Sequence, residues 1–141
     1  VSYYDFSRIL EPAMPPSKIP PPTEAELAIL QVLWSRGPTT VRAVHETLGG
    51  DARTRYTTTL KQMQVMAEKG LLDRNESQRS HVYVPVPKEA EIGESLVSGF
   101  IDRVFQGSVQ KMVVHALNSK NVTNEELDQI KRLLQQRGDG K

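Results

Sequence analysis

From Thr23 onward the chain alternates between short stretches of periodic apolar residues and tight polar breaks. Leu27, Leu30 and Trp34, with Ile29 and Leu33 alongside, recur at helical spacing and predict a first helix. Thr23-Glu24-Ala25-Glu26 fits a capping box, in which the threonine hydroxyl takes the amide three residues on and the glutamate returns to the cap amide. Ser35-Arg36-Gly37-Pro38 ends this helix. Thr40 can cap a second helix, with Val41, Val44 and Leu48 as its buried stripe and Gly49-Gly50 as its stop. A third is predicted from Tyr56 to Lys69, ending at Gly70. Positions 59, 63 and 66 face inward there, while Thr57, Thr58, Lys61, Gln62, Gln64 and Val65 lie wholly or partly outside. Residues 71–74 and 81–84 read as two strands around a basic turn, residues 75–80.

Pro85 and Pro87 mark a boundary, since neither can extend a central strand. Beyond them Ile92, Leu96, Phe100 and Val104 recur every four residues, joined by Val97 and Ile101, until Gln106-Gly107 breaks the pattern. Val109, Met112, Val113, Ala116 and Leu117 form a second amphipathic helix. Thr123-Asn124-Glu125-Glu126 caps a third, carrying Leu127, Ile130, Leu133 and Leu134. The fold class is therefore mainly α with a small β-hairpin wing. A winged helix-turn-helix domain over residues 23–86 is followed by a three-helix dimerisation domain over residues 87–137. Some fifty residues in three helices bury little by themselves. A second copy can cover the leftover apolar face, through Ile92, Leu96, Phe100, Val104, Val113, Leu117, Leu127, Ile130 and Leu134. Packing of these helices on the same chain's N-terminal domain is the alternative.

The two ends read differently. Six prolines fall between Pro12 and Pro22, so residues 1–22 are expected to be extended or disordered. Met14, directly before Pro15, is the expected natural start, with residues 1–13 coming from further upstream. Residues 138–141 are expected to fray.

Charge changes the picture locally. The net charge is only +1, but residues 53–79 hold six basic side chains against three acidic ones. Arg53, Arg55, Lys61, Arg74 and Arg79 are candidates for phosphate contact. Thr57 and Thr58 offer hydroxyls to phosphates or base edges. Lys61 and Gln64, three apart on one helix face, offer donors to guanine and adenine edges. Arg79 at the wing tip would track the backbone or the minor groove. There is no cysteine, so disulfides and thiolate zinc sites are excluded. His45, His81 and His115 lack partners at metal spacing, so neither a metal nor a cofactor is expected. Trp34, Met63 and Met66 read as core packing. No apolar run approaches the roughly 20 residues of a membrane span, so no membrane insertion is expected. No nucleophile stands with a base at a known spacing, and there is no glycine-rich phosphate loop, which argues against an enzyme.

The stretches Glu24–Trp34 (EAELAILQVLW), Thr40–Leu48 (TVRAVHETL), Tyr56–Leu60 (YTTTL) and Glu68–Leu72 (EKGLL), with Phe100–Gly107 (FIDRVFQG) and Glu125-Glu126-Leu127, occur in the order seen in one known group. Together they resemble the BlaI/MecI/CopY, or penicillinase repressor, family of bacterial transcriptional regulators. The resemblance implies a cytoplasmic homodimer that represses transcription by binding dyad-symmetric operators on double-stranded DNA. In the best-known members a membrane sensor peptidase triggers cleavage before a phenylalanine matching Phe100. Gly99 stands here where those members have asparagine, and Val65 where many have arginine. The cysteine cluster of the copper-sensing branch is absent. A winged helix serving protein interaction without specific DNA binding is the other reading of the same layout.

Overall fold

The computed structural model describes residues 20–52, 54–77 and 79–139. Arg53, the expected start at Met14 and the proline-rich segment up to residue 19 lie outside the described residues. Helix α1 spans Glu24–Arg36, α2 Val41–Thr47, α3 Tyr56–Lys69, α4 Glu89–Phe105, α5 Val109–Ser119 and α6 Asn124–Asp139. Strands β1 (Thr39–Thr40), β2 (Leu72–Asn75) and β3 (Val82–Pro85) form one antiparallel sheet in the order β1-β3-β2. The expected class holds: mainly helical, with a helix-turn-helix and a β wing.

Thr40 caps α2 as expected, and with Thr39 it also forms a short third strand. Thr39 pairs with Tyr83 and Thr40 with Val82, so β3 becomes the central strand and ends in a proline. The Val86 amide donates to the Leu71 carbonyl at 2.9 Å, which makes Leu72 and Pro85 a non-hydrogen-bonded pair. The Pro85 nitrogen thus faces the side where β1 has already ended, and no ladder bond is lost.

The chain divides into two compact units between Leu96 and Val97, within α4. In the first unit Ile29, Leu30 and Leu33 of α1 pack with Val41 and Val44, Met63 and Met66, and Leu71, Leu72 and Tyr83. The deepest stripe of α1 is thus Ile29, Leu30 and Leu33, with Leu27 and Trp34 only half-buried. Trp34 lies at the core's edge because its indole nitrogen must donate, here to the Pro87 carbonyl at 3.0 Å. Leu48 was expected inside, yet it is exposed, because α2 ends at Thr47 and the chain swings away through Gly49 at φ 106°.

The second unit holds the rest of α4 with α5 and α6. Ile101 and Phe105 are its buried apolar residues, and Phe105 packs against Phe100 and His115 at centroid distances of 5.4 and 5.1 Å. The expected stripe Ile92–Leu96–Phe100–Val104 does not stay on one face. A four-residue repeat advances by about 40° per step around an α-helix. Ile92 is accordingly buried within the first unit, while Phe100 and Val104 are about half exposed. Helix α6 continues through Gly138 to Asp139, past the expected fraying point. A glycine in a last turn costs only about 1 kcal/mol, too little to end a helix by itself.

Thr23 and Glu26 form the predicted capping box, with the Glu26 amide donating to Thr23 Oγ1 at 3.2 Å and the Thr23 amide to Glu26 Oε1 at 2.9 Å. Glu26 is also buried and takes a 2.8 Å ion pair from Lys69 at the end of α3. Burial alone would raise its carboxyl pKa. The Lys69 hydrogen bond and charge, with the Thr23 bonds, outweigh that and hold it below its ordinary value. A depressed folded-state pKa adds stability above the unfolded value, and that stability is lost as pH falls through the folded one. Glu26→Gln should therefore cost about 1–2 kcal/mol in urea melts near neutral pH. The gap to the parent should close in acid; a gap that persists there would refute the ion-pair account.

Candidate nucleic-acid interface

Helix α3 is closed at its C-terminal end and held from beneath. Gly70, at φ 89° and ψ 8°, takes the left-handed conformation that closes its last turn, and the Leu71 amide returns to the Met66 carbonyl at 2.9 Å. Thr59, Met63 and Met66 are buried as expected. With that face anchored, Thr57, Thr58, Lys61 and Gln64 are exposed, and Gln62 and Val65 half-buried. Arg55 occupies the N-cap without a side-chain bond to the first-turn amides, so the positive end of the helix is open.

The outer face divides into two hollows. Thr57, Thr58, Lys61 and Val65 line one of about 490 Å³ beside Thr23 and Glu26 of α1. Gln64 lines another, with Glu68 and Arg74, on the wing side. Lys61 and Gln64 therefore share the exposed face but flank different hollows.

Of the wing cations, Arg79 is exposed and Arg74 is engaged within the wing. The hydrogen bond with the Tyr83 hydroxyl, then the neighbouring charge of Glu76, raises the Arg74 pKa above its ordinary value. Among the described residues Arg55, Lys61 and Arg79 have no carboxylate at ion-pairing distance. Gly99 and Phe100 lie inside α4, so cleavage between them requires that helix to open locally. A Cβ at Gly99 would meet only the Arg103 guanidinium, at 3.4 Å, so packing does not demand glycine there.

Sequence reasoning missed two features. One is Arg42, exposed on α2, whose guanidinium lies 4.4 Å from the centre of the Tyr56 ring. The other is a hydrogen-bonded chain from α3 through α2 to the turn Gly50–Ala52. His45 Nδ1 lies 3.0 Å from Thr59 Oγ1, and Nε2 lies 2.7 Å from Asp51 Oδ1. Hydroxyl, imidazole and carboxylate in series have the order of a nucleophilic triad, though not at any spacing known for one. Thr59 is only 3% exposed, however, so its hydroxyl cannot meet a substrate. The chain joins α2 to α3. Its signal was the residue pair 45 and 59, which no local periodicity connects.

The family described as "Penicillinase repressor" matches residues 22–136. The chain belongs to the penicillinase repressor family. It is 34% identical over 113 residues to the transcriptional regulator BlaI of Mycobacterium tuberculosis, covering 79% of this chain and 80% of that protein. It is 24% identical over 119 residues to the penicillinase repressor of Bacillus licheniformis, covering 84% of this chain and 93% of that one. The solved DNA-binding domain of the repressor BlaI is similar at 26% identity and a TM-score of 0.46, over 52% of this chain and 90% of that domain. The family is one of transcriptional repressors, which are not enzymes.

If His45 and Thr59 serve packing, Thr59→Val should cost about 1–3 kcal/mol, because it leaves a buried imidazole nitrogen unpaired. Denaturant melts measure this. A variant as stable as the parent would show that the chain does not hold α3.

Proposed function

We propose that the protein is a dimeric, sequence-specific repressor that binds dyad-symmetric operators on duplex DNA. The observation that carries this is the outer face of α3, which presents two threonine hydroxyls, Lys61 and Gln64 to solvent while its inner face is anchored in the core. Lys61 and Gln64 read base edges, and Arg55 and Arg79, with Arg53, take phosphates. Arg74 braces the wing. The names of the relatives support repression. Acting on DNA places the protein in the cytoplasm, and no helix among the described residues is long and apolar enough to cross a membrane.

The dimer is supported by the second unit. Val97, Phe100, Val104, Val109, Val113, Val114, Leu117, Leu133 and Leu134 are 39–64% exposed there. A second copy would cover them, and a two-fold dimer presents two α3 helices to half-sites about one helical turn, or a multiple, apart.

The test is selection of bound duplexes from genomic fragments by the purified protein, followed by titration against the selected and scrambled sites. A palindromic site whose affinity falls with salt is the expected result. No selected sequence and no salt-dependent binding would overturn the reading in favour of a protein-interaction module. Lys61→Ala should lose about 1–3 kcal/mol per half-site on the selected site and less on the scrambled one; equal losses would make it a phosphate contact. Val104→Asp should raise the dimer dissociation constant by roughly 10- to 100-fold in sedimentation, since it buries a charge at the interface. An unchanged dimer would place the interface elsewhere.

A further inference from the structure

A cleft of about 510 Å³ opens where α2, the start of α3 and the wing meet. Arg42, Tyr56, Arg79 and His81 line it, and among the described residues no acidic side chain does. Two arginines converge there without a countercharge, and among the described residues neither has a carboxylate at ion-pairing distance. A hollow that gathers cations and no carboxylate favours an anion.

Arg42 is held for such a role. Its guanidinium lies over the Tyr56 ring, 4.4 Å from the centroid, a cation–π contact that restrains it. Tyr56 is set in turn by His45, edge-on at 5.7 Å, and His45 by Thr59 and Asp51. The buried chain that joins α2 to α3 thus also steadies the platform under Arg42. A cation oriented in advance loses less freedom on binding.

We propose that this cleft seats a backbone phosphate of the bound duplex, with Arg42, steadied on Tyr56, as its principal cation and Arg79 as the second. The proposal rests on the DNA-binding reading and adds α2 as a contacting element beside α3 and the wing. Phosphates carry no sequence information, so the seat contributes affinity equally to operator and non-operator DNA.

Arg42→Ala and Arg42→Lys are titrated with selected and scrambled duplexes at several salt concentrations. Arg42 is exposed, so either change leaves the core intact. Losing one phosphate contact per protomer, two in the dimer, should lower the slope of log affinity against log salt by about 1.8 in Arg42→Ala, so its deficit shrinks roughly 12-fold from about 50 to 200 mM salt. The deficit should be the same on both duplexes. Arg42→Lys should keep the parent slope and lose affinity by roughly 2- to 10-fold, as charge stays but the guanidinium fork is gone. An unchanged slope in Arg42→Ala, or a deficit confined to the selected site, overturns the phosphate seat while leaving the repressor reading intact. If the parent itself shows no salt-dependent duplex binding, the repressor reading falls and the seat falls with it.

Discussion

The anchoring of α3 by its inner face is the constraint on which the N-terminal unit depends. Met63 and Met66 fill the core between α1, α2 and the start of the sheet, and Thr59 closes the same face with a polar group. A threonine at 3% exposure is tolerable only with a partner, and His45 is that partner. One buried hydrogen bond therefore sets the rotation of α3 relative to α2, which determines which side chains look outward. A turn of one residue would rotate the helix by about 100° and send Lys61 and Gln64 out of register with the wing. The Glu26–Lys69 ion pair fastens the far end of the same helix to α1.

What was legible in the sequence was what local pattern encodes. The capping box at Thr23, the Thr40 cap, the glycine stops at Gly37, Gly70 and Gly107 and the inward set Thr59, Met63 and Met66 follow from spacing and side-chain chemistry. What was not legible depends on pairing across the chain. Strand β1 has only two residues and exists because Tyr83 and Val82 lie opposite them. Glu26 read as a cap residue, and nothing local marks Lys69, 43 positions on, as its partner. Leu48 read as core because periodicity does not register where a helix ends.

The same limit applied to the candidate site. The polar face of α3 and the basic wing could be read from composition, but the division among the cations could not. Arg74 and Arg79 look alike in sequence, yet one is tied to Tyr83 and Glu76 while the other is exposed and lines the cleft beside Arg42. Arg42 carried no sequence signal at all, because its significance lies in a tyrosine ring fourteen positions away.

The second unit poses a different problem. Single exposed apolar side chains are ordinary on a protein surface, but among the described residues nine large ones on three consecutive helices exceed what a small unit with two buried apolar side chains can leave in water. A partner of unlike sequence would have to match that face by independent means, whereas a copy of the same helices matches it through symmetry. An isologous contact also closes after two chains, so the apolar face is consumed rather than propagated into a filament. In the proposed dimer the same two-fold axis would relate two copies of α3, and a duplex that presents its sequence twice in opposite senses is the nucleic acid such an axis selects. The apolar surplus of one unit and the polar face of the other are thus both met by the proposed symmetric pair.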